Sequence, residues 1–264
     1  MLSEPSAFTP YPSDLSDAQW QLICEYFTIP PNRRGRRFRN DVRDIVDAIL
    51  YLTKTGCQWR QLPHEFPPWQ TVYSHFRRWT ANGLWDRILK DLNGRVREQE
   101  GRLPTPTLGI IDSQSVKTYS HGEDRGYDGG KKIKGRKRHI IVDMLGCLLA
   151  VVVHAANIHD TVAAESLLHR AFTDYPTLKA ISADAGYRKT AEEATAKLGR
   201  LMHISHRIED KFAVLPKRWI VERTFAWLCN ARRLSKDYEV KAPVSQAFIQ
   251  VAAVRLNIGK LNKC

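Results

Sequence analysis

The stretch that decides the fold is TLGIIDSQSVK, Thr107–Lys117. A leucine and two isoleucines around a glycine are typical of a buried strand. The apolar run stops at Asp112, so the sequence predicts a strand that ends on a carboxylate. YDGGKKIKGRKRH, residues 127–139, follows and predicts a loop crowded with positive charge. Two interpretations are open: a turn aspartate beside solubilising bases, or a metal-binding acid beside a track for a polyanion.

The composition favours a polyanionic partner. Among 264 residues, 41 Lys and Arg against 28 Asp and Glu give 41 − 28 = +13, an excess suited to nucleic acid or an anionic membrane. CLLAVVV, residues 147–153, is the longest apolar run and is far shorter than the roughly 20 residues of a membrane span. The start of the chain lacks the features of a secretory signal, and five cysteines without a C-x-x-C pair fit a reducing compartment. We therefore expect a cytoplasmic, nucleoid-associated protein with no membrane contact.

The periodicity of the chain changes near residue 105. Before that point LSDAQWQLICEYF, DVRDIVDAILYLTKTG and WQTVYSHFRRWTANG show helical spacing and resemble a helix-turn-helix region. After it, TLGIIDSQSV, KRHIIVDML and CLLAVVVHAA read as a three-strand meander, followed by alternating helices and strands and two terminal helices. The sequence thus predicts a helical DNA-binding domain over residues 1–104. Over 105–264 it predicts an α/β domain, a mixed sheet flanked by helices.

Three acidic residues stand out by position. Asp112 and Asp184 each end a predicted strand, and Glu222 lies on the predicted helix PKRWIVERTFAWLCNARRL on one stripe with Arg218 and Arg233. Magnesium prefers a few carboxylates together with phosphate oxygens. Two such ions can hold the attacking and leaving oxygens of a phosphoryl transfer. Acids on rigid elements with bases beside them fit that chemistry.

Each of these acids also has an ordinary structural explanation. An aspartate after a strand is a common turn former, and Glu222 can simply pair with a nearby arginine on a solvated helix. Asp143 is the chief rival acid, but the turn sequence after it favours a role in a hairpin. His139, His154 and His159 are scattered, which favours phosphate contacts or satisfied polar groups over metal ligands.

Several motifs in consistent order resemble the IS5-like group of bacterial insertion-sequence transposases, of the DDE class. They are IDSQSVK, YDGGKKIKGRKRHIIVD, LLAVVVHAANIHD, SADAGYR and WIVERTFAWLCNARRLSKDYE, with YPSDLSDAQWQLI and GCQWRQLPHEFPPWQTVYSHFRRW nearer the start. The resemblance implies an RNase H-like catalytic domain in which Asp112, Asp184 and Glu222 are the catalytic and metal-binding triad. It also implies two Mg²⁺ ions (with Mn²⁺ able to substitute), terminal inverted repeats and target DNA as double-stranded substrates, and a homo-oligomer on DNA.

The glutamate of related transposases lies in a Y-x2-R-x3-E-x6-K signature. Arg218 and Glu222 match this signature, whereas Leu215 replaces its tyrosine and Cys229 its lysine. Arg232 or Arg233 is a candidate to take over the role of the missing lysine.

The basic residues near these motifs are candidate contacts to the DNA backbone. They are Arg33, Arg34, Arg36, Arg37, Arg77, Arg78, Lys117, Lys131, Lys132, Lys134, Arg136, Lys137, Arg138, Arg188, Arg218, Arg223, Arg232 and Arg233. The predicted reaction is hydrolysis at the element end, followed by attack of the freed 3′-OH on target DNA. Two alternatives are a transposase-derived DNA-binding regulator without catalysis and an RNase H-like nuclease that cuts without joining.

Overall fold

A ten-residue strand lies in the middle of a mixed sheet. The computed structural model describes residues 10–27, 41–119, 122–187, 199, 201–204 and 219–262. Within these residues the strands are β1 (Leu108–Lys117), β2 (Gly126–Asp128), β3 (Ile133–Val142), β4 (Leu148–Ala155), β5 (Ala180–Ala183) and β6 (Leu201–Ile204). The order across the sheet is β4-β3-β1-β5-β6, and β2 pairs with the start of β3. β1, β3 and β4 are antiparallel, whereas β1, β5 and β6 run parallel.

This order, an antiparallel meander followed by parallel strands, is that of an RNase H-like sheet and confirms the predicted fold class. One detail of the prediction was wrong, because β1 continues through Asp112 to Lys117 and Asp112 lies in mid-strand. The chain continues as a strand there because residues 114–117 pair with residues 135–138 of β3. The predicted hairpin between β3 and β4 is present, with Gly146 at a φ of 75°. β2 was not predicted.

The helical segments predicted before the sheet are present, but the first is shorter than predicted, because only Asp17–Gln21 of LSDAQWQLICEYF is α-helix and Cys24–Phe27 is a 3₁₀ turn. In the described residues the helices are α1 (Asp17–Gln21), α2 (Val42–Thr55), α3 (Trp69–Ala81), α4 (Leu84–Gln99), α5 (Asp160–Asp174), α6 (Trp219–Cys229) and α7 (Ala242–Leu261). Ser16 caps α1 through a capping box, and Asp41 caps α2 by accepting the Arg43 N–H. The helical N-terminal region is thus confirmed, and its helix-turn-helix character stays a prediction. No helix in the described ranges has the length and apolarity needed to span a membrane.

The two faces of the sheet belong to different hydrophobic clusters. Ile110 and Ile140 pack on one face with α6, α7 and the N-terminal helices. Ile111 and Ile141 pack on the other face against α5. The first cluster is continuous from α2 through the sheet to α7. The predicted boundary at residue 104 stays a prediction, and the helices before it share their core with the domain after it.

The predicted helix over residues 216–234 was too long. α6 ends at Cys229, and a separate 3₁₀ turn, Arg232–Leu234, follows after a break in the chain direction. Glu222 and Arg233 therefore do not share a helix face. The break follows from burial, because Arg233 and Leu234 turn inward towards α2 and α7. Residues 28–40, 188–198 and 205–218 are among those that lie outside the described residues.

Candidate functional site

The pairing of β1 with β5 brings two of the predicted acids level with each other. The parallel register places Ile110 opposite Ser182. Continued by two residues, the same register aligns Asp112 with Asp184, which directly follows β5. Paired residues of parallel strands point to the same face and alternate along the strand, so both aspartates belong to the face that α6 covers. Asp112 and Asp184 are half-buried.

Local hydrogen bonds orient each of these carboxylates. The Ser113 N–H donates to Asp112 Oδ1 at 2.7 Å. The Gly186 N–H donates to Asp184 Oδ1 at 2.9 Å, which closes a tight turn into the 3₁₀ helix Ala185–Tyr187. Each carboxylate is therefore oriented by a backbone N–H group one or two residues further along the chain.

The helix that carries the third acid lies over the same face of the sheet. Gln114, two residues beyond Asp112 on β1, has its Nε2 3.8 Å from the Cys229 Sγ at the end of α6. Glu222 and Cys229 are two helical turns apart and lie on one stripe. Both are exposed, while Ile220, Val221, Thr224, Phe225 and Leu228 on the opposite side are buried. The stripe with Glu222 thus adjoins the face with Asp112.

A buried tyrosine reports the negative charge at this point of the sheet. Tyr187 is only 1% exposed and packs in the cluster beneath α5. Burial raises the pKa of its phenol well above the ordinary value, and the charges of Asp160, Asp112 and Asp184 raise it further. Both aligned aspartates are thus among the charges that disfavour ionisation of this phenol.

A second group of charged side chains lies on the opposite face, and the sequence did not reveal it. Asp160, at the start of α5, accepts from Lys137 Nζ at 2.8 Å and from Ser113 Oγ at 3.2 Å, and His139 Nε2 lies 3.3 Å from it. The strand register places Ser113 opposite His139. The available signal was the alternation of serines in SQSVK facing KRH on the next strand. This group ties α5 to the strand that carries Asp112.

The same group extends towards β2. Ser115 Oγ donates to Asp128 Oδ2 at 2.5 Å, and Lys137 Nζ lies 3.8 Å from the same carboxylate. His154 Nε2 lies 3.0 Å from His139 Nδ1, and burial lowers the pKa of His154. His154 is therefore a satisfied polar group, since its other ring nitrogen lies 2.9 Å from Ala155 O, as one of the interpretations from sequence had it.

The ionisation of Asp160 predicts a pH dependence of stability. Burial alone would raise the pKa of Asp160, but hydrogen bonds from His139 and Lys137 outweigh it and hold that pKa well below the ordinary value. A carboxyl with a depressed folded-state pKa stabilises the fold above its unfolded pKa of about 4 and loses that contribution as the pH falls. We expect Asp160→Asn to lower the free energy of unfolding at pH 7 and to flatten its decline below about pH 5. Urea denaturation at several pH values measures the free energy of unfolding and its dependence on pH. The same dependence on pH in wild type and Asp160→Asn would contradict the depressed pKa of Asp160.

Several of the predicted DNA contacts are buried, and for these the prediction of a surface role was wrong. Arg136 is 0% exposed and donates to the backbone oxygens of Glu123, Glu239 and Val240, with Asp237 Oδ2 at 3.2 Å. Arg138 is 3% exposed and donates to Leu234 O at 2.6 Å and Lys236 O at 3.2 Å. Both arginines thus hold the segment after α6 against the sheet.

Lys137 and Arg233 are buried for similar reasons. Lys137 lies between Asp128 and Asp160, as described above. The Arg233 guanidinium lies 2.8 Å from Glu239 Oε1 and stacks 4.4 Å from the centre of the Phe248 ring. Both side chains are thus buried and paired with acidic residues of the same chain.

The remaining candidate bases differ in their exposure. Arg223 is half-buried, with its guanidinium 4.4 Å and 4.3 Å from the ring centres of Trp219 and Trp227. The exposed candidates are Arg77, Arg78, Lys117, Lys131, Lys132, Lys134 and Arg232. Arg33, Arg34, Arg36, Arg37, Arg188 and Arg218 lie outside the described residues.

Asp143 has the structural role that its turn sequence indicated. It is 0% exposed, and its Oδ1 accepts the N–H groups of Leu145 and Cys147 at 2.9 Å each. Its other oxygen forms an ion pair with Arg97. This acid is satisfied within the fold.

The acids on the α6 face have the donor chemistry of a divalent metal site. Magnesium and manganese take hard oxygen ligands, and Asp112, Asp184 and Glu222 supply carboxylates. In the part of the chain that the structure describes, no three His, Cys, Asp or Glu side chains are grouped closely enough to hold a metal ion. The strand register aligns Asp112 with Asp184, and Glu222 lies on α6 over the same face of the sheet, so the role of these three acids as metal ligands stays a prediction.

An α/β domain with this strand order belongs to the RNase H-like class. Comparison with known protein families shows to which family within this class the chain belongs. Residues 103–257, more than half of the chain, match the model of the transposase DDE domain, and residues 15–89 match a putative transposase family of the IS4/5 type. The chain belongs to the DDE-domain transposases, and the resemblance read from its motifs is confirmed at this level. Transposases of this family are DNA-processing enzymes, and their DDE domains depend on divalent metal ions.

Curated relatives support the same assignment. The chain is 32% identical over 126 residues to a putative transposase for insertion sequence element IS402 of Burkholderia cepacia, covering 44% of this chain and 60% of that protein. It is 29% identical over 117 residues to an uncharacterized 16.2 kDa protein of IS402, covering 42% and 78%. The uncharacterized protein y4sN of Sinorhizobium fredii is 29% identical over 122 residues, covering 46% and 86%.

Proposed function

We propose that this transposase cuts the ends of an insertion sequence and joins the freed 3′-OH to target DNA. The observation that carries the proposal is the register of β1 and β5, which aligns Asp112 with Asp184 beneath the helix that bears Glu222. In the first step the oxygen of water bonds to the phosphorus at the element end, and the 3′ oxygen leaves as a hydroxyl. In the second step the oxygen of that hydroxyl bonds to the phosphorus of a target phosphodiester, and the 3′ oxygen of the target strand leaves as a hydroxyl. No covalent bond to the enzyme forms.

The three carboxylates are proposed to hold two Mg²⁺ ions, for which Mn²⁺ can substitute. Such a pair activates the attacking oxygen and neutralises charge on the leaving one. The chain's own part is to orient the ligands: Asp112 and Asp184 through their backbone hydrogen bonds and Glu222 through a helix with a buried back. Rigid ligands of this kind reduce the reorganisation needed on binding.

The exposed bases are proposed to hold the DNA backbone without reading its sequence. The turn between β2 and β3 carries Lys131 and Lys132, and Lys134 projects outward from the start of β3. The substrates in this proposal are terminal inverted repeats and target DNA, bound by more than one protomer in the bacterial cytoplasm. The bases outside the described residues, Arg34, Arg36, Arg37, Arg188 and Arg218 among them, stay candidates for the same role.

An assay for joined product tests the proposed function. DNA that carries the sequences on either side of the gene is incubated with purified protein, a labelled target and Mg²⁺. Covalent joining of end to target is the expected result. Cleavage without joining would indicate a nuclease instead, and binding without cleavage under any divalent ion would indicate a regulator.

The basic hairpin predicts a change in salt dependence. Replacing Lys131, Lys132 and Lys134 together by Gln is expected to weaken duplex binding and to reduce the slope of log affinity against log salt by about 2–3, since each lost phosphate contact contributes about 0.9. Fluorescence anisotropy at several salt concentrations measures the slope. The matched control is Lys90→Gln, an exposed lysine on α4. An unchanged slope in the triple variant would remove this hairpin from the DNA surface.

A further inference from the structure

A wide cleft at the far end of β1 has no part in the reaction proposed above. Its volume is about 850 Å³, and it lies between the link from α2 to α3 and the segment before α7. Among the described residues that line it are five aromatic side chains: Trp59, Trp69, Tyr73, Tyr119 and Tyr238. Tyr119 is 60% exposed and Tyr238 46% exposed. Large aromatic surface left open on one concavity indicates a binding site.

The Trp59 ring of the cleft is held by packing against its neighbours. Trp59 meets Tyr73 edge to face with ring centres 5.0 Å apart, and it packs against Phe76 and Phe248 in the core. The Arg233 guanidinium lies 5.5 Å from the Trp59 ring centre and also donates to Cys57 O at 2.7 Å. Fixed rings lose little side-chain entropy when a planar ligand stacks on them.

The charges around the cleft select the chemical class of the ligand. Arg77 and Lys241 line it as cations, and Arg60 lies 5.6 Å over the ring of Trp69. Among the described lining residues the only acid is Glu239, which is 8% exposed and bound to Arg233. The cleft thus combines open aromatic faces with positive charge and offers no exposed carboxylate. This combination fits single-stranded nucleic acid, whose bases stack on aromatic rings while its phosphates need cations.

We propose that this cleft binds unpaired nucleotides of the DNA on which the transposase acts. Bases stack on Tyr119, Tyr238 and Trp69, and phosphates lie near Arg77 and Lys241. Tyr119, which lines the cleft just after β1, is seven residues or roughly 23 Å along the chain from Asp112. At about 3.4 Å per nucleotide this separation is about seven nucleotides, so the bound bases lie within one turn of duplex from the processed end. The proposal rests on the proposed function, because it takes DNA as the substrate.

Binding of a short labelled oligo(dT) to the full chain tests the proposal. Tyr119→Ala and Trp69→Ala are each expected to weaken it about fivefold to a hundredfold, as lost stacking on one base does. Tyr119→Phe keeps the ring and is expected to bind like wild type. The slope against salt is expected to stay unchanged in Tyr119→Ala, because no phosphate contact is removed, and to fall in Lys241→Gln.

The matched control is Tyr127→Ala, which removes a ring that is 55% exposed on β2 beside the basic hairpin and does not line the cleft. The proposal would be overturned if Tyr127→Ala lowered the affinity for oligo(dT) as much as Tyr119→Ala does. It would also be overturned if neither Tyr119→Ala nor Trp69→Ala lowered that affinity. Because Tyr119 is exposed, its variant stays informative if Trp69→Ala does not fold. If the protein joins DNA but does not bind oligo(dT), only the proposal for the cleft is refuted. If it binds oligo(dT) but does not cut DNA, only the proposed function is refuted.

Discussion

Replacement of Asp112, Asp184 or Glu222 by the corresponding amide, one at a time, is expected to lower DNA cleavage by at least about a hundredfold. The reason is that each change removes a charged oxygen ligand from the proposed metal site. Loss of a partner that only supports a metal ligand already costs about tenfold to a hundredfold, so loss of the ligand itself should cost more. Affinity for duplex DNA is expected to change by less than about threefold, because these acids make no phosphate contact of their own. Single-turnover cleavage and anisotropy measure the two quantities.

A control variant separates this effect from a general loss of acidic charge. Glu98→Gln neutralises an exposed acid on α4 and is expected to cut at the wild-type rate. If Asp184→Asn retained cleavage within a few-fold of wild type, the assignment of this residue would fail. If all three variants lost DNA binding together with cleavage, the acids would belong to the folding or binding of the chain instead.

Arg136→Met is expected to destabilise the fold by about 3–5 kcal/mol. Arg136 is fully buried, and its guanidinium satisfies three backbone oxygens and faces the equally buried Asp237. Removal of one partner of a buried ion pair leaves an uncompensated charge, which costs far more than an exposed pair is worth. Urea denaturation followed by circular dichroism gives the free energy of unfolding.

Lys134→Met is the matched control, because Lys134 lies two residues away on β3, on the same side of the strand, and is exposed. We expect it to change stability by no more than about 0.5 kcal/mol. Similar stability of Arg136→Met and wild type would contradict the structural role of Arg136 and would return this residue to the candidate DNA contacts.

The sequence predicted most strands of the sheet because strands depend on local patterns, but it placed Asp112 at a strand end instead of in mid-strand. β-branched runs identified β1, β3 and β4, and the glycine at position 146 marked the turn between the last two. Helical spacing likewise identified α2 and α3. The order of the motifs indicated a DDE transposase, and the match to the DDE-domain model confirms this family.

Which of the basic side chains are buried could not be predicted in the same way. Arg136 and Arg138 look like surface bases in KKIKGRKRH, yet their partners are backbone oxygens in the segment after α6, far along the chain. Burial of a charge depends on such distant partners, and composition does not reveal them. The early end of α6 has the same origin, since Arg233 turns inward to meet Glu239.

The group around Asp160 shows how the opposite face of the sheet can support the acids. Ser113 donates to Asp160 through its side chain and to Asp112 through its N–H, so one residue joins the two faces of β1. Asp160 in turn holds Lys137 and His139 on β3. The strand that carries Asp112 is thereby fixed from both sides before any metal or DNA binds.

Anomalous scattering from Mn²⁺ in crystals of the protein bound to end DNA is the most direct test of the convergence of the three acids. We predict manganese peaks within ligand distance, about 2–2.6 Å, of carboxylate oxygens of Asp112 and Asp184, with Glu222 completing the set. Peaks bound elsewhere, or Asp112 and Asp184 separated too widely to share one ion, would contradict the account.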